Sequence, residues 1–179
     1  MWTVLILIAV VISIFFLYNS LVKLKVAADG AWSDIEVQLK RRHDLVPNLV
    51  ETVKGYAGHE RGTLESVIQA RNQAMAAQGP VAKAGAENIL TGALKSLFAL
   101  SESYPQLRAA ENFGQLQSTL GEIEEAIQNA RRYYNAVVRD LNTKIQQFPG
   151  NLIARPFGFQ PRAFFEISES ERAVPKVSF

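Results

Sequence analysis

From Ala28 onward apolar positions recur in alternating steps of four and three: Ala28, Trp32, Ile35, Leu39, Arg42, Val46, Leu49, Val53, Tyr56. That spacing sets the side chains on one stripe of a helix. The stripe keeps its phase through Pro47, which predicts one long helix over about 24–57, bent at the proline. Gly55 and Gly58 mark its end, around His59 to Gly62. A second stripe is the strongest in the chain: Phe113, Leu116, Leu120, Ile123, Ile127, Ala130, Tyr134, Val137, Leu141, Ile145 and Phe148. It predicts a helix over about 112–147, roughly 50 Å long at 1.5 Å per residue. Asn112 and Gln115 offer a capping box at its start, and Phe148-Pro149-Gly150 a stop.

Between the two stripes the pattern is weaker. Leu64, Val67, Ile68, Arg71 and Met75 predict a helix over about 63–78, and Leu90, Ala93, Leu97 and Leu100 another over about 87–103. The stretch GPVAKAGAEN, 79–88, is small and glycine-containing and reads as a loop, and Pro105 breaks the chain again. Two long helices with a 3.5-residue seam imply an elongated antiparallel bundle over 23–150, coiled-coil-like in its packing and rod-shaped.

Ahead of this bundle, residues 1–22 carry no charged side chain. Such a helix spans roughly 30 Å, the thickness of a hydrocarbon core. Trp2 lies at one end and Phe15, Phe16 and Tyr18 toward the other, as in interfacial aromatic belts. Val26-Ala27-Ala28 resembles a signal-peptide cleavage site, but no Lys or Arg precedes the apolar run and Lys23 and Lys25 follow it at once. The expectation is an uncleaved single-pass anchor with the N-terminus outside and residues 23 onward in the cytoplasm.

The pattern changes again after Gly150. Residues 151–179 hold three prolines, at 156, 161 and 175, and five of the chain's 10 phenylalanines. Proline at that density forbids a continuous helix. Phe157, Phe159, Phe164, Phe165 and Phe179 need a surface to cover. An extended arm of this kind either folds back along its own bundle or docks on a neighbouring subunit.

Composition removes several classes of function. A formal charge of +2 in 179 residues gives no electrostatic case for nucleic acid. Without cysteine there are no disulfides, zinc–thiolate sites or thiol chemistry. His43 and His59 stand roughly 24 Å apart on a continuous helix, too far to share a metal. Asp44 points about 100° away from His43, so it does not orient that imidazole. Glu122, Glu124 and Glu125 lack the Glu-x-x-His partners of a di-iron bundle and read as a solvated acidic face. Gly55-Tyr-Ala-Gly58 lacks the lysine and strand of a phosphate loop. No catalytic, cofactor-binding or metal-binding residue is expected, and no small-molecule substrate.

Arg42 is the informative polar residue, because it falls inside the stripe between Leu39 and Val46. A charge there must reach solvent or meet an acid. The expected partner is a Glu or Asp across the bundle, from the helix over 112–147. Arg71 occupies a similar place on its own helix. Polar residues in a packing seam fix register more often than they react.

The chain resembles the bacterial LemA family over nearly its whole length. The segments that carry the likeness are WSDIEVQLKRRHDLVPNLVETVKGYAGHERGTLESVIQAR, YPQLRAAENFGQLQSTLGEIEEAIQNARRYYNAVVRDLNTKIQQFPGNLIA and the ending VPKVSF. Its most specific positions are Arg42, Leu45, Val46, Pro47, Asn48, Leu49, Val50, Val53, Lys54, Gly55, Tyr56, His59, Glu60, Ala70, Arg71, Ala130, Arg131, Tyr134 and Asn135. The resemblance implies one N-terminal transmembrane helix and an antiparallel helical bundle, with most of the chain in the cytoplasm under the bacterial inner membrane. It implies no established activity. A relative serves in magnetosome membranes, and family members are often encoded beside membrane peptidases.

These readings converge on an all-α, membrane-anchored scaffold, expected to self-associate, with no catalysis of its own. The alternative is an accessory or regulatory subunit of a membrane enzyme such as a peptidase. The expected partners are the bilayer, further copies of the chain and a membrane protein. Interaction is expected through Arg42, Pro47, Asn48, Tyr56, Arg71, Tyr134, Phe157, Phe159, Phe164 and Phe165.

Overall fold

A computed structural model describes residues 1–166, and among them the fold is all-α. Its helices are α1 (Trp2–Ala57), α2 (Arg61–Ala76), α3 (Pro80–Ser101), α4 (Pro105–Arg108), α5 (Glu111–Gln146) and α6 (Gly150–Ala154). Of the arm residues, 167–179 lie outside the described range, and with them the expectation for Phe179. The chain divides into two compact units, each drawing on both long helices.

The first unit comprises residues 1–35 and 130–164. From Trp2 to Phe16 the apolar side chains of α1 stand in the open, Ile8 at 51% and Phe16 at 68% exposure. Burial begins at Leu21 and continues through Ala28, Ala31 and Ile35. From α5 come Tyr134, Val138, Leu141 and Ile145, and from α6 Ile153 and Ala154. Phe148 departs from the expected stripe and is 77% exposed, because α5 stops at Gln146 and the chain has already turned. That turn is tight: a Cβ on Gly150 would collide with the backbone carbonyl of Lys144.

The second unit is built on residues 36–129 with Phe165 and Glu166. Val46, Leu49 and Val53 of α1 pack with Leu64, Val67, Ala70 and Ala74 of α2, Leu90, Leu94 and Leu97 of α3, Leu107 of α4, and Phe113 and Leu120 of α5. Each large aliphatic side chain removed from water contributes about 1.5–3 kcal/mol before entropy is charged against it.

Several expected boundaries and facings shift. Residues 80–88 are helix, not loop. Pro80 takes the first position of α3, where its missing N–H costs nothing, and Gly79 supplies the turn at φ +76°. Tyr56 is 45% exposed and Ala57 is buried in its place, since a straight helix drifts against a strict heptad. At the start of α5, Gln115 donates to Glu111 (3.2 Å) instead of closing a box with Asn112, and the helix begins one residue early. On α2, Met75 is 51% exposed while Ala70 and Ala74 are buried, so the inward face is smaller than the sequence pattern suggested.

Candidate functional site

Within the second unit the stripe of α1 brings Arg42 inside at 1% exposure and His43 beside it at 5%. Two charge-capable groups at adjacent helical positions point about 100° apart, so one carboxylate joins them only if it approaches from another helix. Glu87 of α3 does so, itself 5% exposed. Its Oε2 accepts from Arg42 Nη1 at 2.9 Å and its Oε1 lies 2.6 Å from His43 Nε2. Arg42 Nη2 also donates to Thr91 Oγ1 (2.7 Å) and pairs with Glu124 Oε1 of α5 (2.5 Å). Thr91 in turn donates to the Glu87 backbone carbonyl at 2.9 Å, which fixes the turn that carries the acid.

Arg42 therefore has the acid from α5 that the sequence predicts, and a second, more deeply buried one from α3. Two expectations need correction here. Glu124 belongs to this network and not to a solvated face; its neighbours Glu122 and Glu125 are exposed. His43 has a carboxylate partner, which its helical neighbours do not supply. Asp44 is exposed and pairs with Lys40 at 2.6 Å.

Burial pushes the Glu124 carboxyl above its ordinary value, against the opposing pull of Arg42. The hydrogen bond from Lys40 holds Asp44 below its ordinary value. A charge cluster this dry gains little net stability from its own pairing, because desolvation consumes most of the attraction. Losing Arg42 is another matter, since Glu87 and Glu124 then lose their shared cation.

Pro47 joins the site through the backbone. A proline in a helix withholds the N–H that the carbonyl four residues earlier would accept, here that of His43. Arg71 Nε of α2 donates to that same oxygen at 2.7 Å. The half-buried Arg71 thus replaces the missing ladder bond from outside the helix.

The other expected interaction residues lie elsewhere. Asn48 is exposed on α1. Tyr56 lines an open groove with Ser103, Tyr104 and Pro105. In the first unit, the buried Tyr134 stacks on Trp32 with ring centroids 5.4 Å apart, and its hydroxyl donates to the Ala163 carbonyl at 3.0 Å. Burial raises the pKa of that phenol. The arm is held further by Asn142, which exchanges two 2.8 Å hydrogen bonds with the Arg162 backbone, and by an Arg162–Asp29 pair at 2.5 Å. Phe157 and Phe159 meet the ring of Tyr18 at 5.0 and 5.8 Å. Residues 157–163 thus pack on their own chain. Phe165 is buried and Phe164 is 37% exposed.

Chemically the cluster is largely satisfied, although the buried Arg42 Nε has no hydrogen-bond partner. Each oxygen of the Glu87 carboxylate has a fixed partner, and Thr91 spends its hydroxyl on Glu87 while receiving Arg42. Among the described residues no group of three or more His, Cys, Asp and Glu is placed to hold a metal ion. Sequence reading missed Glu87 and Thr91, yet a signal for the acid existed. Glu87 precedes Leu90, Leu94 and Leu97 on one helical stripe, so it repeats on α3 what Arg42 does on α1.

Comparison with known proteins places these residues in a family. The chain is 25% identical over 190 residues to magnetosome protein MamQ 2 of Paramagnetospirillum magneticum, covering 92% of this chain and 70% of that protein. It is 25% identical over 189 residues to magnetosome protein MamQ of Magnetospirillum gryphiswaldense, covering 91% and 70%. Protein LemA of Metamycoplasma hominis is 28% identical over 158 residues, 86% of this chain and 71% of its own. The LemA family model matches residues 31–179, which include every member of the buried cluster. The chain belongs to the LemA family.

Proposed function

We propose that this chain is a single-pass, membrane-anchored scaffold that self-associates in the bacterial inner membrane and performs no chemistry of its own. The observation that carries the reading is continuity within α1. The open apolar run from Trp2 to Phe16 and the packed stripe that starts at Leu21 belong to one unbroken helix. An apolar surface of that length is costly in water and matches a hydrocarbon core. Lys23 and Lys25, immediately after the span, support an outside N-terminus with the bundle in the cytoplasm. Likeness to magnetosome proteins over most of the chain supports work at a membrane compartment.

The buried cluster supports a structural role over a catalytic one. Both oxygens of the Glu87 carboxylate and the Thr91 hydroxyl are occupied by partners, so neither oxygen of Glu87 is left to polarise or deprotonate a substrate. Such a cluster selects one register among packings that apolar side chains alone leave nearly equal in energy. The deciding experiment is extraction in a mild detergent followed by mass measurement of the intact particle. Multiples of 19.9 kDa are expected. A monomer at every concentration removes self-association, and a stoichiometric second protein favours an accessory subunit of a membrane enzyme.

A further inference from the structure

The turn that joins α5 to the arm leaves three large apolar side chains in the open within ten residues of sequence. Phe148 is 77% exposed, Leu152 62% and Phe157 56%. Gly150, where a side chain would strike the Lys144 carbonyl, holds the turn in one tight shape. An accidental apolar loop has no reason to be fixed so firmly, and three exposed side chains of this size are a costly surface in water.

Their neighbour says what covers them. Phe157 and Phe159 pack against Tyr18, a residue of the uncharged run itself. Tyr18 precedes Lys23 by roughly 7 Å of helix. A segment that touches the last turns of a membrane span lies at the depth of those turns. We propose that Phe148, Leu152 and Phe157 form a wedge that enters the interface of the same bilayer that holds the span, a second lipid contact beside the anchor. The charges around it agree with an anionic headgroup layer. Lys23 and Lys144 line one groove of about 430 Å³ together with Ser20, Gln147 and a single acid, Asp140, and Arg155 is exposed on the turn, so the cations outnumber the acid there. Amphipathic side chains of this kind place aliphatic stems among acyl chains and charged ends at the phosphates.

The wedge rests on the reading of residues 1–22 as a bilayer span, and the test separates the two. The chain has no cysteine, so single variants Leu152→Cys, Phe148→Cys, Ile8→Cys and Asp34→Cys each accept one environment-sensitive fluorophore. Full-length protein goes into vesicles of equal parts phosphatidylethanolamine and phosphatidylglycerol, with nitroxide-labelled lipid as quencher. The expected result is a blue-shifted emission at positions 152 and 148 that loses more than half its intensity to a shallow nitroxide. Position 8 responds to a deep nitroxide and position 34 to neither. Labels at 152 and 148 that behave like position 34, while position 8 is quenched, overturn the wedge and leave the anchor standing. An unquenched label at position 8 overturns the anchor, and the wedge falls with it. Both wedge positions are mostly exposed, so the labels leave the core intact, and unchanged helicity checks this.

Discussion

Arg71 donates from Nε to the backbone carbonyl of His43 at 2.7 Å, the carbonyl of α1 that Pro47 leaves without a helical donor. A proline inside a helix costs about 3 kcal/mol when nothing compensates. Here the compensation comes from a neighbouring helix, so a local defect of α1 specifies how α2 docks. Arg71→Ala is expected to destabilise the protein by about 1–3 kcal/mol, the cost of a buried acceptor left unsatisfied. In a Pro47→Ala background the loss shrinks, because alanine at that position supplies the missing N–H. The measurement is a double-mutant cycle by chemical denaturation of the detergent-solubilised protein. Strictly additive losses would show that the two residues act separately.

Glu87 and Glu124 face the same guanidinium and differ in what surrounds them. The Glu87 side chain is 7% exposed and serves both Arg42 and His43, while that of Glu124 is 32% exposed and serves Arg42 alone. Glu87→Ala leaves the buried Arg42 with only the wetter Glu124 and takes the carboxylate from His43, and is expected to cost about 3 kcal/mol, the lower end for a broken buried pair. Glu124→Gln keeps an acceptor at a wetter position and is expected to cost about 1 kcal/mol or less. Denaturation midpoints at neutral pH rank the two; equal losses would mean that burial does not set the cost here.

The direction of the pH response follows from the Glu124 carboxyl. Burial raises it above 4.5; Arg42 and Lys95 pull it down and Glu87 pushes it up. Between 4.5 and that raised value the folded protein binds more protons than the unfolded chain. This group's contribution to stability therefore falls as pH climbs through the window and returns on acidification. Asp44 acts oppositely: its carboxyl is held below 3.8 by Lys40, so its contribution is present above 3.8 and is lost as pH falls through the lower folded value. Comparing the wild-type chain with Glu124→Gln at paired pH values isolates the first effect. Parallel pH curves for the two proteins would count against it.

Asn142 holds the arm with both ends of its amide, accepting from the Arg162 N–H and donating to the Arg162 carbonyl. Asn142→Leu removes both bonds at once, at a local cost of about 1–3 kcal/mol. The global midpoint should move little, while the arm opens more often. Trypsin cleavage after Arg162 should quicken by about tenfold or more, since each 1.4 kcal/mol of opening free energy is a factor of about ten. An unchanged cleavage rate would show that the Tyr134–Ala163 bond and the Asp29–Arg162 pair hold the arm by themselves.

Gly150→Ala places a methyl group against the Lys144 carbonyl, and backbone cannot yield as a flexible side-chain tip can. The expected loss is about 1–3 kcal/mol, in the range of an overpacked site. Gly114→Ala is the matched control, since an added Cβ meets nothing there; it should be neutral or slightly stabilising. A similar response at both positions would contradict the close approach.

Much of this structure is written in helical periodicity. Ile35, Leu39, Val46 and Val53 on α1, and Ile123, Tyr134 and Leu141 on α5, are buried where the stripes put them. The readings failed where a different rule governs. Tyr56 and Phe148 stand at stripe ends, where heptad drift and an approaching turn move a side chain off the seam. Residues 80–88 looked like a loop because glycine and proline usually break helices, yet Gly79-Pro80 starts one. Starting that helix at about 87 left Glu87 at its edge and off the inward stripe read from Leu90 onward, and without Glu87 the histidine beside Arg42 had no visible partner. The Arg71–His43 bond had no sequence signature, because it joins a side chain to a backbone atom 28 residues away.

The unbroken run of α1 through Leu21 and Ala28 has a rotational consequence. A helix advances by about 100° per residue. The packed positions Leu21, Ala28, Ala31 and Ile35 therefore fix the azimuth of every side chain on the span above them. The apolar run does not swivel freely as a tethered segment does; in the bilayer of the proposed function it presents one chosen face to whatever lies next to it. A single residue inserted near Lys25 would leave the composition of the span intact and turn that whole face away.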